Sequence, residues 1–384
     1  MKIAWIDIVF DRHLPVGSSG LSEVVWELAG PLAACGHEVH IIAPYLNDRY
    51  PAPGVHVHRF ALPPIGYRNI LGHMLIVQHA LDSLRRQGPF DIVHAPEYLS
   101  TALACRAGLT PVVLTEPGNI FERIANGNPY DRFTTQVYKW AARTSARGCA
   151  RIIATSALMA DWWQRSGALP AQIARIPLGV RLDGFAPQPD ARRRHGWDAD
   201  RPQVLFVARL SPETGAALLL RALPQVLAVF PQLQVHLVGS GPAEAELRAQ
   251  AASLQIAHAI IWHGWVKLAE LPGLYNAADM LVFPGSSGGT PRVMLQAMAC
   301  GTPFVGTAIG GIVDHVDANR GWLVPPNDAT ALAAAIIAAL RSPDLRLARA
   351  TAARSYVHSL DWSTIAARVA TEVYTPLIER GVAL

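Results

Sequence analysis

Residues 283–303 read FPGSSGGTPRVMLQAMACGTP, in which an apolar strand end leads through a glycine-serine loop into a helix. Thr290 can cap that helix, Pro291 stands where a first helical residue tolerates proline, and Gly301 closes the last turn. Free backbone amides at such a helix start bind anions, and the glycines before it allow close approach. The stretch therefore predicts one strand-loop-helix step of a parallel α/β sheet, with an anion site at the end of the strand.

Short β-branched runs alternate with runs of helical period on both sides of this stretch, as is typical of parallel sheets with crossover helices. The predicted strands are Ile3–Val9, Val39–Ala43, Val55–Phe60, Ile92–His94, Val112–Thr115 and Ile152–Thr155, and then Val204–Ala208, Val235–Val238, Ile260–His263, Met280–Phe283, Phe304–Gly306 and Trp322–Val324. Apolar residues at helical spacing predict a helix from Leu21 to Cys35, ended by Gly36. We expect two open sheets that bind ligands beyond the carboxyl ends of their strands.

Glycine and proline become frequent in residues 178–202, around the charged run Arg192-Arg193-Arg194. This composition indicates a linker between the two groups of strands. The length of 384 residues allows two or three domains at roughly 150 residues each. The two groups of strands favour two domains.

The composition describes a well-buried globular protein, because 51% of the residues are hydrophobic and only 16% are charged. The net charge of +4 suits an anionic ligand or an anionic membrane surface, but it is too mild for a protein that binds nucleic acid. Four cysteines lie far apart and predict neither a disulfide framework nor a metal knuckle. This pattern fits a reducing cytoplasm.

Neither a signal peptide nor a membrane span is expected. Asp7 interrupts the first apolar run too early for a signal peptide. The longest uncharged, alanine-rich run, from Ala329 to Leu340, is shorter than the roughly 20 residues that a span needs. We therefore expect a cytoplasmic protein.

The segment from Phe121 to Arg151 interleaves basic residues with aromatic ones such as Tyr138 and Trp140. Arginines pair with phosphates and aromatic faces pack on sugar rings, so the segment suits either anionic lipid or a sugar acceptor. An ordinary amphipathic helix with a solvated arginine face explains it equally well. The lipid interpretation predicts a peripheral protein on the inner face of the cell membrane.

Short motifs follow one another in a set order along nearly the whole chain. They are Ser19-Gly20, Gly36-His37-Glu38-Val39, Asp91-Ile92-Val93-His94, Ile176-Pro177-Leu178-Gly179-Val180, LFVARLSPE at residues 205–213, Val238-Gly239-Ser240-Gly241-Pro242, His263-Gly264-Trp265-Val266, Gly310-Gly311 and GWLVPP at residues 321–326. In this order and spacing, the chain resembles the retaining glycosyltransferases of family 4, which have the GT-B fold of two facing Rossmann-like domains.

The resemblance implies a division of labour between two domains. Residues 1–180, together with a C-terminal helix over residues 363–384, would bind the acceptor, and residues 181–362 would bind the nucleotide sugar. It also implies a UDP- or GDP-sugar donor, a lipid-linked or oligosaccharide acceptor in cell-surface glycan synthesis, and neither a metal nor another cofactor.

The resemblance also implies site residues, which we carry over one by one. Arg209 matches the arginine that pairs with the donor diphosphate, and a planar bidentate cation is apt for that role. The implied donor-binding residues are Ser19, Gly20, Arg209, Thr214, Gly264, Trp265, Val266, Gly288, Gly289, Thr290, Pro291 and Gln296. The candidate catalytic residues are Arg209, which matches the family, and Glu116 and Asn119, which are neighbours of a position where the family pattern is broken.

The chain departs from the family pattern at the donor site. Thr214 replaces a lysine expected five residues after Arg209, and losing such a charge can raise the barrier by about 3 kcal/mol. The two family glutamates, eight positions apart, are replaced by Gly288 and Gln296. Gln296 keeps a carbonyl acceptor and gains an amide donor, so it can still hold two ribose hydroxyls.

A further departure concerns the first domain. Pro117 stands where family members often carry a histidine after the strand Val112–Thr115. Glu116 and Asn119 are the neighbouring polar residues that are candidates to replace it.

Two interpretations of these departures stay open. Either the chain is an active branch that relies on Arg209, Thr214, Thr290, Gln296 and backbone amides, or it is a non-catalytic GT-B protein that binds a nucleotide sugar or scaffolds a glycan-assembly complex. The intact glycines and helix ends favour the first. A GT-B epimerase or phosphorylase is a third interpretation, which predicts turnover without an added acceptor alcohol.

Weaker signals have simpler explanations. Asp198-Ala199-Asp200 matches a metal-binding D-x-D pattern, but it precedes a strand, and a solvated turn explains it better. His94 and His263 each end a predicted buried strand, where a hydrogen-bonded structural histidine is the commoner outcome.

Overall fold

The computed structural model describes residues 1–8, 20–44, 52–60, 70–109, 111–116, 132–286 and 288–381. They form two compact units, one of Met1–Gly179 with Trp362–Leu384 and one of Val180–Asp361. Each unit contains one parallel sheet with crossover helices, which confirms the predicted α/β class.

The first unit has a sheet of seven parallel strands in the order β3-β2-β1-β4-β5-β6-β7. The strands are β1 (Lys2–Ile6), β2 (Glu38–Ala43), β3 (Val55–Arg59), β4 (Ile92–Ala95), β5 (Val112–Glu116), β6 (Arg151–Ala154) and β7 (Ile173–Arg175). The helices are α1 (Gly20–Ala34), α2 (Ile70–Arg86), α3 (Tyr98–Arg106), α4 (Arg132–Gly148) and α5 (Ala157–Arg165). Strand β7 was not predicted, and the first strand ends at Ile6 rather than at Val9, which lies outside the described residues.

The core of the first unit lies between the sheet and helices α2 to α5. Ile6 and Val93 on the strands, Leu99 on α3 and Trp163 on α5 are all almost fully buried in one apolar cluster. Their removal from water is the main stabilising contribution to this unit.

The second unit has six parallel strands in the order β10-β9-β8-β11-β12-β13. The strands are β8 (Gln203–Val207), β9 (Gln234–Val238), β10 (Ile260–Gly264), β11 (Met280–Phe283), β12 (Phe304–Thr307) and β13 (Trp322–Val324). The helices are α6 (Ala191–Arg194), α7 (Ala216–Val229), α8 (Glu244–Ser253), α9 (Leu271–Ala277), α10 (Arg292–Cys300), α11 (Ile312–His315), α12 (Ala329–Arg341) and α13 (Pro343–Val357). From the central β8, the chain proceeds first towards β10 and later towards β13. The resulting switch point lies between β8 and β11, where such sheets bind ligands.

The prediction of a linker over residues 178–202 was wrong for most of that range. From Val180 onwards these residues belong to the second unit. Arg192 forms an ion pair with Asp279 at 2.9 Å, and the Trp197 ring stacks on His236 at a centroid distance of 3.5 Å. The prolines and glycines turn the chain, but buried contacts hold it against the second sheet.

The C-terminal segment belongs to the first unit. It consists of α14 (Trp362–Arg368), a π-helical turn (Val369–Tyr374) and α15 (Thr375–Gly381). The Tyr374 hydroxyl lies 2.6 Å from His94 Nδ1 in the buried interior. A Cβ on Gly179 would lie 2.4 Å from the Trp362 ring, so only glycine admits that ring.

Candidate functional site

Two loops meet at the switch point of the second sheet. We call residues 208–215, which follow β8, the arginine loop, and residues 284–291, which follow β11, the glycine loop; residue 287 lies outside the described residues. The amide of Ser286 donates to the carbonyl of Glu213 at 2.9 Å. A Cβ on Gly215, whose φ is +85°, would lie 2.0 Å from the carbonyl oxygen of Pro284. The two loops are therefore in direct backbone contact.

Neighbouring loops support both of them. Gly239, after β9, has a φ of +130°, and a Cβ there would lie 1.8 Å from the carbonyl oxygen of Ala208. On the other side, the amide of Gly311 donates to the carbonyl of Gly288 at 3.1 Å. The glycines thus bring four loops together at the carboxyl ends of the strands.

Arg209 is the exposed cation of this site. Its neighbour Leu210 fixes the loop, because the Leu210 amide donates to the carbonyl of Ser240 and the Leu210 carbonyl accepts from the amide of Ala243, both at 3.0 Å. These two bonds therefore hold the backbone next to Arg209 in place at the carboxyl end of β8.

Thr214 closes the arginine loop. Its hydroxyl lies 2.8 Å from the carbonyl oxygens of both Arg209 and Ser211, to which it donates its one proton. The threonine thus stabilises the loop rather than replacing the charge of the absent lysine. Its predicted contact with a diphosphate stays a prediction.

The start of α10 differs from the prediction. Pro291 stands at the N-cap in an extended conformation, with φ −72° and ψ 117°, rather than in the first turn. Thr290 does not cap the helix, because its hydroxyl is buried against Gly311 and makes no hydrogen bond. Among the described residues no side chain caps α10, so the positive end of its helix dipole can attract an anion.

Gln296 lies on α10 and is only 7% exposed. Its Oε1 accepts a hydrogen bond from the hydroxyl of Tyr275, on α9, at 3.0 Å. Burial raises the pKa of Tyr275 well above its usual value, so the phenol stays protonated and donates. The carbonyl that we expected to accept from ribose is thus engaged by Tyr275, a residue that the sequence analysis missed.

The predicted base-side residues follow β10. Gly264, whose carbonyl accepts from the amide of Gly239 at 2.7 Å, joins this segment to the loop behind Arg209. Trp265 is 43% exposed and Val266 is partly buried. An exposed tryptophan beside a polar loop can stack on a planar base.

The candidates in the first unit are only partly described. Gly20 is the first residue of α1 and Glu116 the last residue of β5. Ser19 and Asn119 lie outside the described residues, as does the side chain of Glu116. The roles predicted for these residues stay predictions.

The two candidate histidines are engaged within the protein, as the simpler explanation predicted. His94 is fully buried and lies 2.7 Å from the Thr115 hydroxyl in addition to its contact with Tyr374. His263 Nε2 lies 2.9 Å from Nδ1 of His236.

The D-x-D pattern forms a surface turn. Asp198 accepts from the amide of Asp200 at 3.0 Å and pairs with Arg201 at 3.1 Å. This confirms the preference for a solvated turn.

Comparison with known proteins matches both halves of the chain. Residues 18–184 match the family model described as Glycosyltransferase Family 4, and residues 187–356 match that described as Glycosyl transferases group 1. A phosphatidyl-myo-inositol mannosyltransferase of Mycolicibacterium smegmatis is 30% identical over 372 residues, covering 94% of this chain and 92% of that protein.

Solved structures with the same fold cover nearly the whole chain. Sucrose-phosphate synthase from Thermosynechococcus elongatus gives a TM-score of 0.83 at 26% identity and covers 99% of both chains. Anabaena HepE, in complex with UDP-glucose, gives a TM-score of 0.77 at 22% identity and covers 98% of this chain and 100% of its own.

Proposed function

The chain belongs to glycosyltransferase family 4 and is a hexosyltransferase of the GT-B type, and we propose that it transfers a sugar from a UDP- or GDP-sugar to a lipid-linked acceptor with retention of configuration. The observation that carries the donor assignment is the switch point of the second sheet. There the exposed Arg209 and the uncapped start of α10 lie on two loops in direct contact. A cation beside the positive end of a helix dipole suits a diphosphate.

In the proposed reaction, Arg209 stabilises the negative charge that grows on the leaving diphosphate. The positive end of the α10 helix dipole shares this task, and we propose that these two features replace a metal ion there. The leaving diphosphate assists deprotonation of the acceptor hydroxyl. Because Thr214 adds no charge, the transition state depends more on Arg209 than it would with a lysine at that position.

In this proposal, uncharged protein groups make the contacts with the sugar and the ribose. Gly288 offers only its backbone, whose carbonyl already accepts from the amide of Gly311. Gln296, with its carbonyl held by Tyr275, donates its amide to a ribose hydroxyl. Trp265 supplies a face for the base. The UDP-glucose in the HepE complex is a nucleotide sugar of this class.

The direct test measures nucleoside diphosphate release from UDP-glucose and from GDP-mannose, with and without vesicles that contain phosphatidylinositol. We expect acceptor-dependent release with one donor, about 100-fold slower or more in Arg209→Ala. Arg209→Lys should recover part of the rate. Arg221→Ala, which removes an exposed arginine on α7, is the matched control.

Three results would count against the proposal. If neither nucleotide sugar binds, the donor assignment is wrong. Binding without transfer to any acceptor would favour the non-catalytic interpretation. Equal rates for Arg209→Ala and Arg221→Ala would remove Arg209 from the mechanism.

A basic groove in the first unit supports a lipid acceptor. It lies between the end of α3 and the exposed side of α4, with a volume of about 540 Å³. Four cations line it: Arg106, Lys139, Arg143 and Arg147. Among the described residues, the lining also includes Trp140 but no carboxylate, and the sequence of α4 has no acidic residue.

Anionic headgroups are the occupant that we propose for this groove. Clusters of arginine and lysine attract anionic lipid surfaces, at about 1 kcal/mol per cation. A relative is named for mannosyl transfer to phosphatidyl-myo-inositol, which is an anionic lipid. None of the described helices is both long and apolar enough to cross a bilayer. We therefore propose a peripheral contact with the inner face of the cell membrane.

Co-sedimentation with vesicles tests this contact. The double substitution Arg143→Gln/Arg147→Gln should weaken binding to anionic vesicles by about 2 kcal/mol, or about 30-fold. Arg193→Gln/Arg221→Gln removes two exposed arginines of the second unit and should change little. If both double variants lose vesicle binding equally, general charge attraction explains the binding and the groove has no specific role. If the unchanged protein stays in the supernatant, the membrane contact is contradicted.

A further inference from the structure

Three histidines and a glutamate share one face at the outer edge of the first sheet. Glu38 and His40 lie two residues apart on β2, and His56 and His58 lie two apart on the edge strand β3. The parallel register pairs His40 with His56. Side chains two residues apart on a strand point the same way, so all four project together.

Short contacts link these side chains. His40 is only 6% exposed, with Nε2 2.8 Å from Glu38 Oε1 and Nδ1 2.7 Å from His58 Nε2. The rings of His40 and His56 have their centroids 4.9 Å apart. One possible ligand atom each from Glu38, His40 and His56 lies within 4.8 Å of the other two.

This spacing is close to that of a zinc site. With ligand bonds of about 2.0–2.2 Å, the ligand atoms of a tetrahedral site are roughly 3.4 Å apart. Glu38 and His56 are exposed, so rotation of their side chains can shorten the remaining distances. His40 is buried, so its ring stays in place while the other two side chains rotate towards the ion.

His58 can hold the ring of His40 in place by a hydrogen bond. A histidine that binds a metal through one nitrogen usually donates its other N–H to an acceptor, which fixes the ring. When His40 binds through Nε2, its Nδ1–H donates to Nε2 of His58.

We propose that Glu38, His40 and His56 bind one Zn²⁺ ion, with water in the fourth position and His58 orienting His40. Imidazole and carboxylate ligands suit this ion. The ligands come from β2 and β3, so the ion ties the edge strand to its neighbour. Glu38 is the first residue of β2, which puts the site towards the amino ends of the strands, away from the ends at which parallel sheets bind substrates. The site is structural and independent of the proposed function.

Lys2 is the cation that opposes metal binding. It pairs in register with Glu38, and its ammonium donates to the carbonyl of Gln87 at 3.1 Å. Removing this charge in Lys2→Gln should tighten zinc binding.

The test is calorimetric titration of Zn²⁺ into the EDTA-treated full chain without a polyhistidine tag. We expect one ion per chain, and at least about 10-fold weaker binding in Glu38→Gln and in His56→Ala. Both replaced residues are exposed, and circular dichroism checks that the variants fold. His79→Ala, at an exposed position on α2, is the control and should bind zinc as the unchanged chain does.

Two further measurements distinguish a defined zinc site from nonspecific zinc binding by surface histidines. Co²⁺ in the site should give the intense visible absorption of tetrahedral coordination, and Zn²⁺ should raise the melting temperature of the unchanged chain but not that of His56→Ala. The proposal is wrong if His56→Ala and His79→Ala bind zinc equally, if no ion binds, or if Co²⁺ shows only the weak spectrum of octahedral coordination. Glycosyl transfer should be the same in His56→Ala and the unchanged chain, so this test does not depend on the donor assignment.

Discussion

Gly239→Ala tests whether the arginine loop is held by close backbone contact. The new Cβ would lie 1.8 Å from the carbonyl oxygen of Ala208, whereas real Cβ contacts are essentially never shorter than 3.0 Å. The backbone must therefore separate by about 1.2 Å. Ala208 directly precedes Arg209, so the shift passes to the residue that carries the guanidinium.

The energetic cost has two parts. A non-glycine residue at the φ of +130° found here costs on the order of 1–3 kcal/mol, and the clash adds to that strain. We expect the free energy of unfolding to fall by about 3–5 kcal/mol in total. A displacement of roughly 1 Å at a reacting site can lower turnover by about 100-fold.

Gly301→Ala is the matched control. Gly301 also has a positive φ, of +77°, but the nearest atom to a Cβ there is 3.9 Å away, at the far end of α10. This variant suffers the backbone strain of a left-handed residue, about 1–2 kcal/mol, without the clash. Urea denaturation followed by circular dichroism compares the two stabilities, and calorimetry compares binding of UDP and GDP. Equal stability and equal nucleotide binding in the two variants would refute the close contact at Gly239.

Three other substitutions probe the second unit. Tyr275→Phe leaves the buried Oε1 of Gln296 without its donor and should cost about 1–3 kcal/mol; a double-mutant cycle with Gln296→Leu should show that the two losses are not additive. Thr214→Lys should raise turnover by about 30-fold, because a charge worth about 3 kcal/mol outweighs a lost hydrogen bond worth about 1 kcal/mol; an unchanged rate would show that the site does not lack that charge. Burial lowers the pKa of His236 to about 3, below the unfolded value of 6.5, so stability falls as the pH drops from 6.5 towards 3, by at most about 1.4 kcal/mol per pH unit. His236→Gln should make this decline shallower in urea titrations between pH 7 and pH 4, and an identical slope would contradict the assignment.

Much of the fold could be predicted because apolar periodicity reports it directly. The strands Met280–Phe283 and Trp322–Val324 were predicted with the bounds that the structure has. Strand β7 was missed because none of the residues Ile173–Arg175 is buried and the strand follows a proline-containing turn. Residues 180–202 were misjudged because glycine and proline signal turns, whether or not the turns pack on a sheet.

The site was predictable only where chain order determines it. The order of the strands places the loops after β8 and β11 side by side, so Arg209 and the start of α10 follow from topology. The bond from Tyr275 to Gln296 links two helices, and no periodicity in the sequence reports such a pair. The histidine cluster depends in the same way on the register of His40 with His56.

The return of Trp362–Gly381 to the first unit affects the order in which the chain can fold on the ribosome. The second unit, Val180–Asp361, is continuous and can fold as it emerges. The first unit must wait while residues 180–361 are made, on the order of 10–40 s at ordinary rates of synthesis. During that time His94 lacks its Tyr374 partner and α1 lacks the helix that packs on it. We therefore expect a nascent chain halted before Trp362 to yield one protease-resistant unit rather than two.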